Sequence, residues 1–298
     1  MKFSCDKYVL QQAAASAARA AAAKSPIPTL EGLLIEAGAS VRITGYDLKK
    51  AIYTTIDADI PEPGSVLIGA RLFCEMLRRM PDGIVTVEAE NGTVSVKCGK
   101  AAFNLVGLSA DDYPDLPTVE AENGVSLPQD LLKKMINECS FAVSTNESRP
   151  VYMGTLFEIE NNVLTMVSVD GYRLALRREA VEGYGDDCSF IVPGTALSDL
   201  ERLCGDSDER VVLSVGSKHI SFTVGNTVIL SRRLEGDFLN YKKAIPESFR
   251  VTVKTETTWG VVGIAAMASE AASSGVWDFL NIAAALSMSL GFMNLLPI

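Results

Sequence analysis

The stretch VTVEAENGTVSVKCGKAAFNLVGL at 85–108 is answered by VVLSVGSKHISFTVGNTVILSRRL at 211–234. Both alternate apolar and polar residues at period two. Both break at tight turns, Asn91-Gly92 in the first and Gly225-Asn226 in the second, so each reads as a run of antiparallel strands. Three more pairs keep the same order. ITGYDLKKAI (43–52) answers VSVDGYRLALRR (167–178), with Gly45 and Gly171 126 residues apart. IGARLFCEMLRRMPDG (68–83) answers VPGTALSDLERLCGDS (192–207) at an offset of 124, each a Gly-led start followed by apolar spacings of three and four. DDYPDLP (111–117) answers GDFLNYKKAIP (236–246). Four blocks in one order at a shared period define a duplication.

Each copy is expected to open on a helix. DKYVLQQAAASAARAAAAK (6–24) is dense in Ala, the best helix former. LPQDLLKKMINECSFAV (127–143) has Pro128 near a helix start and Leu131, Leu132, Met135 and Ile136 on one face. One unit is then helix, β-hairpins, helix and three strands: an α+β fold with two helices packed on antiparallel β-sheets per repeat. The expected domains are 1–120 and 121–247. A third copy starts, because FRVTVKTETTW (249–259) matches NGVSLPQDLLK (123–133), and the pattern stops after Thr258. Residues 248–258 are thus read as a truncated third repeat, replaced from 259 to 298 by a foreign apolar helical tail.

Composition narrows the function. Of 298 residues 48% are apolar and 21% charged, enough for a core and against disorder. The net charge of −10 argues against a uniformly basic coat but leaves room for a local basic face. His219 is the single histidine, which removes His-rich metal sites, the HExxH motif and most catalytic triads. None of the six cysteines forms a CxxC pair, so they read as reduced thiols of a cytoplasmic protein. Asp6, Lys7 and Arg19 interrupt any signal-peptide core.

The last 40 residues differ from the rest. All 27 basic residues precede them, and they hold only Glu270 and Asp278 of the 37 acids. From Phe279 to Ile298 no residue is charged, a length that can cross a bilayer core of about 30 Å as a helix. Gly, Ala and Ser among Leu, Met and Phe fit a packed membrane helix, and a buried helix of a soluble domain is the alternative.

The block RPVYMGTLFEIENNVLTMVSVDGYRLALRR (149–178), with LEGDFLNYKKAIP (234–246) and the opening MKFSCDKYVL, resembles the bacterial β sliding clamp of DNA polymerase III over residues 1 to about 257. The resemblance implies three repeated domains per chain and two protomers joined head to tail in a ring around duplex DNA. It implies no catalytic chemistry and no cofactor. The ring tethers polymerase III and other proteins bearing a clamp-binding motif, and a clamp loader serves it. A tether should hold phosphates without reading bases, through local basic groups on an acidic body.

The helices that line the hole in that family carry Lys7, Arg19 and Lys24 in the first copy, and Arg71, Arg78 and Arg79 in its second helix. In the second copy Lys133 and Lys134 are offset by Asp130 and Glu138, and Arg202 by Asp199 and Glu201. The resemblance assigns DNA proximity to Lys24, Arg71, Arg78, Arg79, Asn146 and Arg149; a solvated helix face is the plainer reading of the same bases. Carried over position by position, the partner-peptide groove uses Tyr152, Val169, Gly171, Tyr172, Arg173, Leu174, Leu239, Lys243 and Ala244. Val169 and Leu174 would also suit plain core packing. Leu239 stands where the family often has Pro.

The tail, GVVGIAAMASEAASSGVWDFLNIAAALSMSLGFMNLLPI (260–298), resembles the late membrane segment of site-2 zinc metalloproteases of the regulator-of-sigma type, without their zinc motifs. The leading expectation is a DNA sliding clamp in which the lost third repeat impairs ring closure and leaves the docking edge at strand 100–108 unpaired. The alternatives are a membrane-anchored, two-domain peptide-binding module held by 279–298, and a non-functional chimera. An enzyme has no support.

Overall fold

The computed structural model describes residues 1–119, 124–182 and 187–245. The chain divides into two units, Met1–Tyr241 and Lys242–Ile298, and the first holds both repeats. The expected third-repeat start (248–258) and the apolar tail (259–298), with its stretch 279–298, lie outside the described residues. Among the described residues no helix is long and apolar enough to cross a membrane.

The first repeat runs β1 (Lys2–Asp6), α1 (Lys7–Ala18), β2 (Gly32–Ala37), β3 (Val41–Tyr46), β4 (Lys50–Ile56), β5 (Asp59–Glu62), β6 (Gly64–Gly69), α2 (Ala70–Arg79), β7 (Ile84–Glu90), β8 (Thr93–Cys98) and β9 (Ala101–Leu108). The second runs β10 (Gly124–Pro128), α3 (Gln129–Ser140), β11 (Gly154–Glu160), β12 (Val163–Val169), β13 (Leu174–Ala180), β14 (Cys188–Pro193), α4 (Gly194–Leu203), β15 (Arg210–Val215), β16 (His219–Val224) and β17 (Thr227–Arg232). A one-turn helix, α5 (Tyr241–Ala244), follows. The expected α+β architecture is present: two helices per repeat on antiparallel sheets.

Each repeat opens on a strand, where the sequence suggested a helix. β1 buries Phe3 and Cys5 and pairs with β7; β10 buries Val125 and Leu127 and pairs with β15. Five residues are too few to display a period. The helices are also shorter than their sequence signals. Asp6 caps α1, its Oδ1 accepting from Tyr8 N (2.8 Å) and Val9 N (3.3 Å). Yet α1 stops at Ala18, although alanines continue to Ala23. Tertiary contact overrides propensity there: Ala20 is fully buried and Ala22 N donates to Leu30 O (2.8 Å), turning the chain.

The two copies match at 126 residues in β7–β9 against β15–β17, as expected, but the β3–β4 turn sits in another register. Asp47 Oδ1 accepts from Lys49 N (2.9 Å) and Lys50 N (2.8 Å). Asp170 Oδ1 accepts from Tyr172 N (3.0 Å) and Arg173 N (3.1 Å), 123 residues further on. Leu48 (φ 70°) and Gly171 (φ 97°) share the left-handed position, and Tyr46 faces Ala51 as Val169 faces Leu174. Gly45 is therefore no counterpart of Gly171. It lies inside β3, where an added Cβ would stand 2.0 Å from Ala17 O. Its role is to let the alanine face of α1 close on the sheet.

One 13-stranded sheet runs through both repeats, in the order β10-β15-β16-β17-β4-β3-β2-β6-β9-β8-β7-β1-β5; β13-β12-β11-β14 form a second sheet. The repeats meet where β17 pairs with β4, from Thr227↔Thr54 to Ser231↔Lys50. Phe3, Leu10 and Phe73 anchor the first core. Phe157, Phe190 and Phe222 anchor the second, with ring centroids 5.5 and 6.4 Å apart. Ile52 and Ala20 of the first repeat pack into that second core, so the seam is apolar inside. A third cluster, Leu30, Tyr46, Ala51, Leu67, Tyr113 and Leu230, ties the inter-repeat connector to both sides.

Candidate functional site

α2 buries Ala70, Phe73, Met76 and Leu77 and turns Arg71, Arg78 and Arg79 to solvent. Arg71 lies 4.0 Å from Glu75 with its side chain 93% exposed, so the contact barely dampens its charge. Lys24 is exposed in the loop after α1, and among the described residues no carboxylate pairs with it. The other bases of that region are committed elsewhere: Lys7 to Asp82 (3.2 Å) and Arg19 towards Asp199 (4.0 Å). Asn146 and Arg149 are exposed in the loop before the 3-10 turn Pro150–Met153. Asn146 Oδ1 accepts from Ser148 N (3.0 Å) and Asn146 O from Arg149 N (3.2 Å), which gives the loop a fixed shape.

Asp199 corrects the sequence reading of α4. With Glu201 it was expected to offset Arg202, but it is buried at 7% exposure and takes Lys50 across the seam. Arg202 is exposed without it, as is Lys134 on α3, whereas Lys133 pairs with Asp206 (2.6 Å). Among the described residues, then, neither Lys134 nor Arg202 pairs with a carboxylate, although sequence adjacency had cancelled both against neighbouring acids.

Of the expected groove residues, Val169, Gly171, Tyr172, Arg173 and Leu174 lie together at the β12–β13 end of the smaller sheet. Val169 is buried and faces Leu174 across the β12–β13 turn. Extending the pairing Leu156↔Val167 by two places sets Gly154 opposite Val169, so the 3-10 turn with Tyr152 adjoins this end. Tyr152 meets Phe238 edge to face, centroids 5.6 Å apart at 85°. Gly171 is exposed at the turn tip and Tyr172 is 100% exposed. Leu239 is 41% exposed nearby in sequence to Phe238. Lys243 and Ala244 belong to the second unit, where both are exposed residues of α5.

Three residues of this region, Asp170, Phe141 and Phe238, were not among the expected groove residues. Asp170 Oδ2 accepts from Arg173 Nε (2.7 Å), fixing the guanidinium. The Tyr172 N–H, then the Arg173 side chain, hold the Asp170 carboxyl below the usual carboxylate range. Phe141, just past α3 and 55% exposed, lies under Arg173 with the guanidinium 5.5 Å from its ring centre. Phe238 packs on Tyr152. The Asp-Gly turn signature could have pointed to Asp170; nothing local marks the other two.

Among the described residues the cysteines form no disulfide, and burial pushes the Cys5 thiol up to about 12 and those of Cys74, Cys139 and Cys204 to about 11. Among the described residues no cluster of His, Cys, Asp and Glu could hold a metal ion.

Comparison with known proteins divides between the two repeats. The N-terminal domain family of the DNA polymerase III β subunit matches residues 1–117, and its central domain family matches 126–240. The class is thereby two consecutive clamp domains. The β sliding clamp of Bacillus subtilis is 32% identical over 269 residues, covering 86% of this chain and 71% of that protein. That of Halalkalibacterium halodurans is 32% identical over 270 residues with the same coverage. A solved DNA polymerase III β subunit from Eubacterium rectale superposes with a TM-score of 0.81 at 31% identity, over 84% of this chain and 69% of that one. The Bacillus subtilis clamp structure gives 0.80 at 32%, over 83% and 68%. The chain belongs to the β sliding clamp family of DNA polymerase III. It is a sliding clamp of DNA replication, a processivity factor without catalysis of its own, and membership implies DNA, polymerase III and the clamp loader as partners.

Proposed function

We propose that this clamp, with domain 1 over 1–120 and domain 2 over 121–247, holds duplex DNA through Lys24, Arg71, Arg78, Arg79, Asn146 and Arg149. The supporting observation is the opposed faces of α2: apolar inward, three guanidinium groups outward, in a chain of net charge −10. Such contacts bind phosphate without reading sequence. Replacing Arg71, Arg78 and Arg79 together by Ala should weaken binding to any duplex alike and flatten the log–log salt dependence by about one unit per lost phosphate contact. An unchanged slope would remove α2 from the DNA surface.

Partner peptides dock at the end of the smaller sheet, with Tyr152, Val169 and Leu174 forming the apolar wall. Gly171, Tyr172, Arg173 and Leu239 form the rim. The support is an oriented Arg173 beside an unburied Tyr172, polar and aromatic groups held ready next to an apolar wall. Replacing Tyr172 and Arg173 by Ala should lower affinity for a fluorescent clamp-binding-motif peptide at least tenfold, and unchanged affinity would refute the assignment.

Further repeats join head to tail. β9 is the counterpart of β17, and over 101–106 its edge away from β8 has no partner among the described residues, with Val106 77% exposed; β13, the counterpart of β4, pairs among those residues only with β12. Val106→Lys should abolish any association seen by native mass spectrometry. Thiols with no disulfide among the described residues suit a cytoplasmic setting, and the uncharged stretch 279–298 suits a membrane-type helix, which detergent-dependent pelleting of the full chain would test.

A further inference from the structure

A cavity of about 660 Å³ opens where the first repeat meets the second. The β3–β4 turn contributes Asp47, Lys49 and Lys50 to it, and the end of β17 contributes Arg232 and Arg233. Its floor is apolar, from Pro150, Met153, Pro193 and Leu234. The volume is within the range of sites that hold small ligands or short peptide segments.

The charges around it do not cancel. Lys50 is neutralised by Asp199, and Arg232 lies 3.3 Å from Glu235. Asp47 is engaged with the backbone of its own turn. Arg233 gives its guanidinium to the carbonyls of Gly216 (3.0 Å), Ser217 (3.2 Å) and Ser189 (3.2 Å), so no carboxylate offsets its charge among the described residues. Lys49 is exposed and likewise has no carboxylate partner there. With Lys50 offset by Asp199 and Arg232 by Glu235, Lys49 and Arg233 stand against Asp47 alone, a positive balance in a chain of net charge −10 that favours an acidic guest.

The internal repeat indicates what kind of guest. The β3–β4 turn is the structural counterpart of the β12–β13 turn, Asp47 for Asp170 and Lys50 for Arg173. In the first copy the apolar half of that counterpart, Tyr46 and Ala51 beside Leu30, is covered by Tyr113 of the chain's own connector. The open remainder is the basic-rimmed cavity. A phosphate chain would satisfy Lys49 but leave the floor of Met153 and Leu234 unmatched.

We propose that the junction cavity is a second docking site for an extended peptide that lays an aliphatic side chain on this floor and presents a carboxylate to Lys49 and Arg233. For the kind of guest, though not for the site, the inference rests on the groove reading above.

The test uses the full chain and a fluorescent pentapeptide of two leucines and two glutamates among its residues, with its glutamine analogue as control. Titration calorimetry should find two sites per chain for the acidic peptide. Tyr172→Ala with Arg173→Ala should leave one. Lys49→Glu should weaken that remaining site about tenfold, and Thr195→Trp, at the exposed cavity wall, should block it. The glutamine analogue should bind the junction at least fivefold more weakly. A site that survives both Lys49→Glu and Thr195→Trp, a single site lost only with Tyr172 and Arg173, or no binding at all would overturn the inference. A single site lost only with Lys49→Glu and Thr195→Trp would uphold it and refute the groove instead. Competition by duplex DNA for the Lys49-sensitive site would assign the cavity to DNA and overturn the peptide.

Discussion

Adding one methyl group at Gly45 should unseat a helix. An ideal Cβ there stands 2.0 Å from Ala17 O and 2.9 Å from Ala17 C. Ordinary carbon–oxygen contact is no closer than about 3.3 Å, so α1 must retreat by about 1.3 Å. Its inner face, Leu10, Ala13, Ala14 and Ala17, is at most 2% exposed, and a gap of that size forfeits about half of each dispersion contact. Overpacking typically costs about 1–3 kcal/mol, and backbone on both sides leaves nothing soft to yield; Gly45→Ala should therefore cost about 3–4 kcal/mol. Gly171→Ala meets open space but a φ of 97°, and should cost only about 1–2 kcal/mol. Urea unfolding of the full chain, read from the midpoint at unchanged slope, measures both. Equal losses would refute the close approach of α1 to β3 and restore Gly45 as an ordinary turn glycine.

Relieving the left-handed Leu48 (φ 70°) by Leu48→Gly should stabilise the chain by about 0.5–1 kcal/mol, read as a raised urea midpoint. Asp199→Asn should cost about 2–3 kcal/mol, because it leaves Lys50 without its counter-charge at a site where both side chains are at most 15% exposed. Lys50→Met with Asp199→Leu should recover most of that loss in a double-mutant cycle. His219 has its pKa lowered, by burial first and then by Arg232 and Lys218. The unfolded chain therefore takes up that proton more readily, and stability falls as pH drops through 6.5 towards the folded value. Thermal melting from pH 7.5 to 5 should show this decline, and His219→Gln should remove its His-dependent part.

The strands of 85–108 and 211–234 were legible because they are long, alternate cleanly and carry turn glycines; the structure keeps their 126-residue offset. The inward faces of α2 and α3 were legible for the same reason, from apolar spacing. What escaped depends on partners remote in the chain. No local pattern states that Thr227 pairs with Thr54 or that Asp199 turns to Lys50. The Gly-Tyr match at 45 and 171 misled because glycine serves two ends, a left-handed turn and a close approach, and letters do not tell them apart. Of the groove, Gly171 and Leu174 could be reasoned from the Asp-Gly turn and apolar alternation. Phe141 beneath Arg173 could not, since it lies at the end of a helix more than thirty residues earlier.

The β17–β4 seam also fixes how the molecule comes apart. β4 is an inner strand only while β17 stays beside it, and the second repeat's core borrows Ile52 from β4 itself. Loss of the second repeat therefore strips the first of a neighbour and of a side chain's worth of packing. The appropriate thermodynamics is that of a short one-dimensional lattice, each repeat a site with its own free energy and the seam a coupling constant. In that description Gly45→Ala perturbs a site and Asp199→Asn perturbs the coupling. The first should lower the unfolding midpoint as a whole, and the second should broaden one transition towards two.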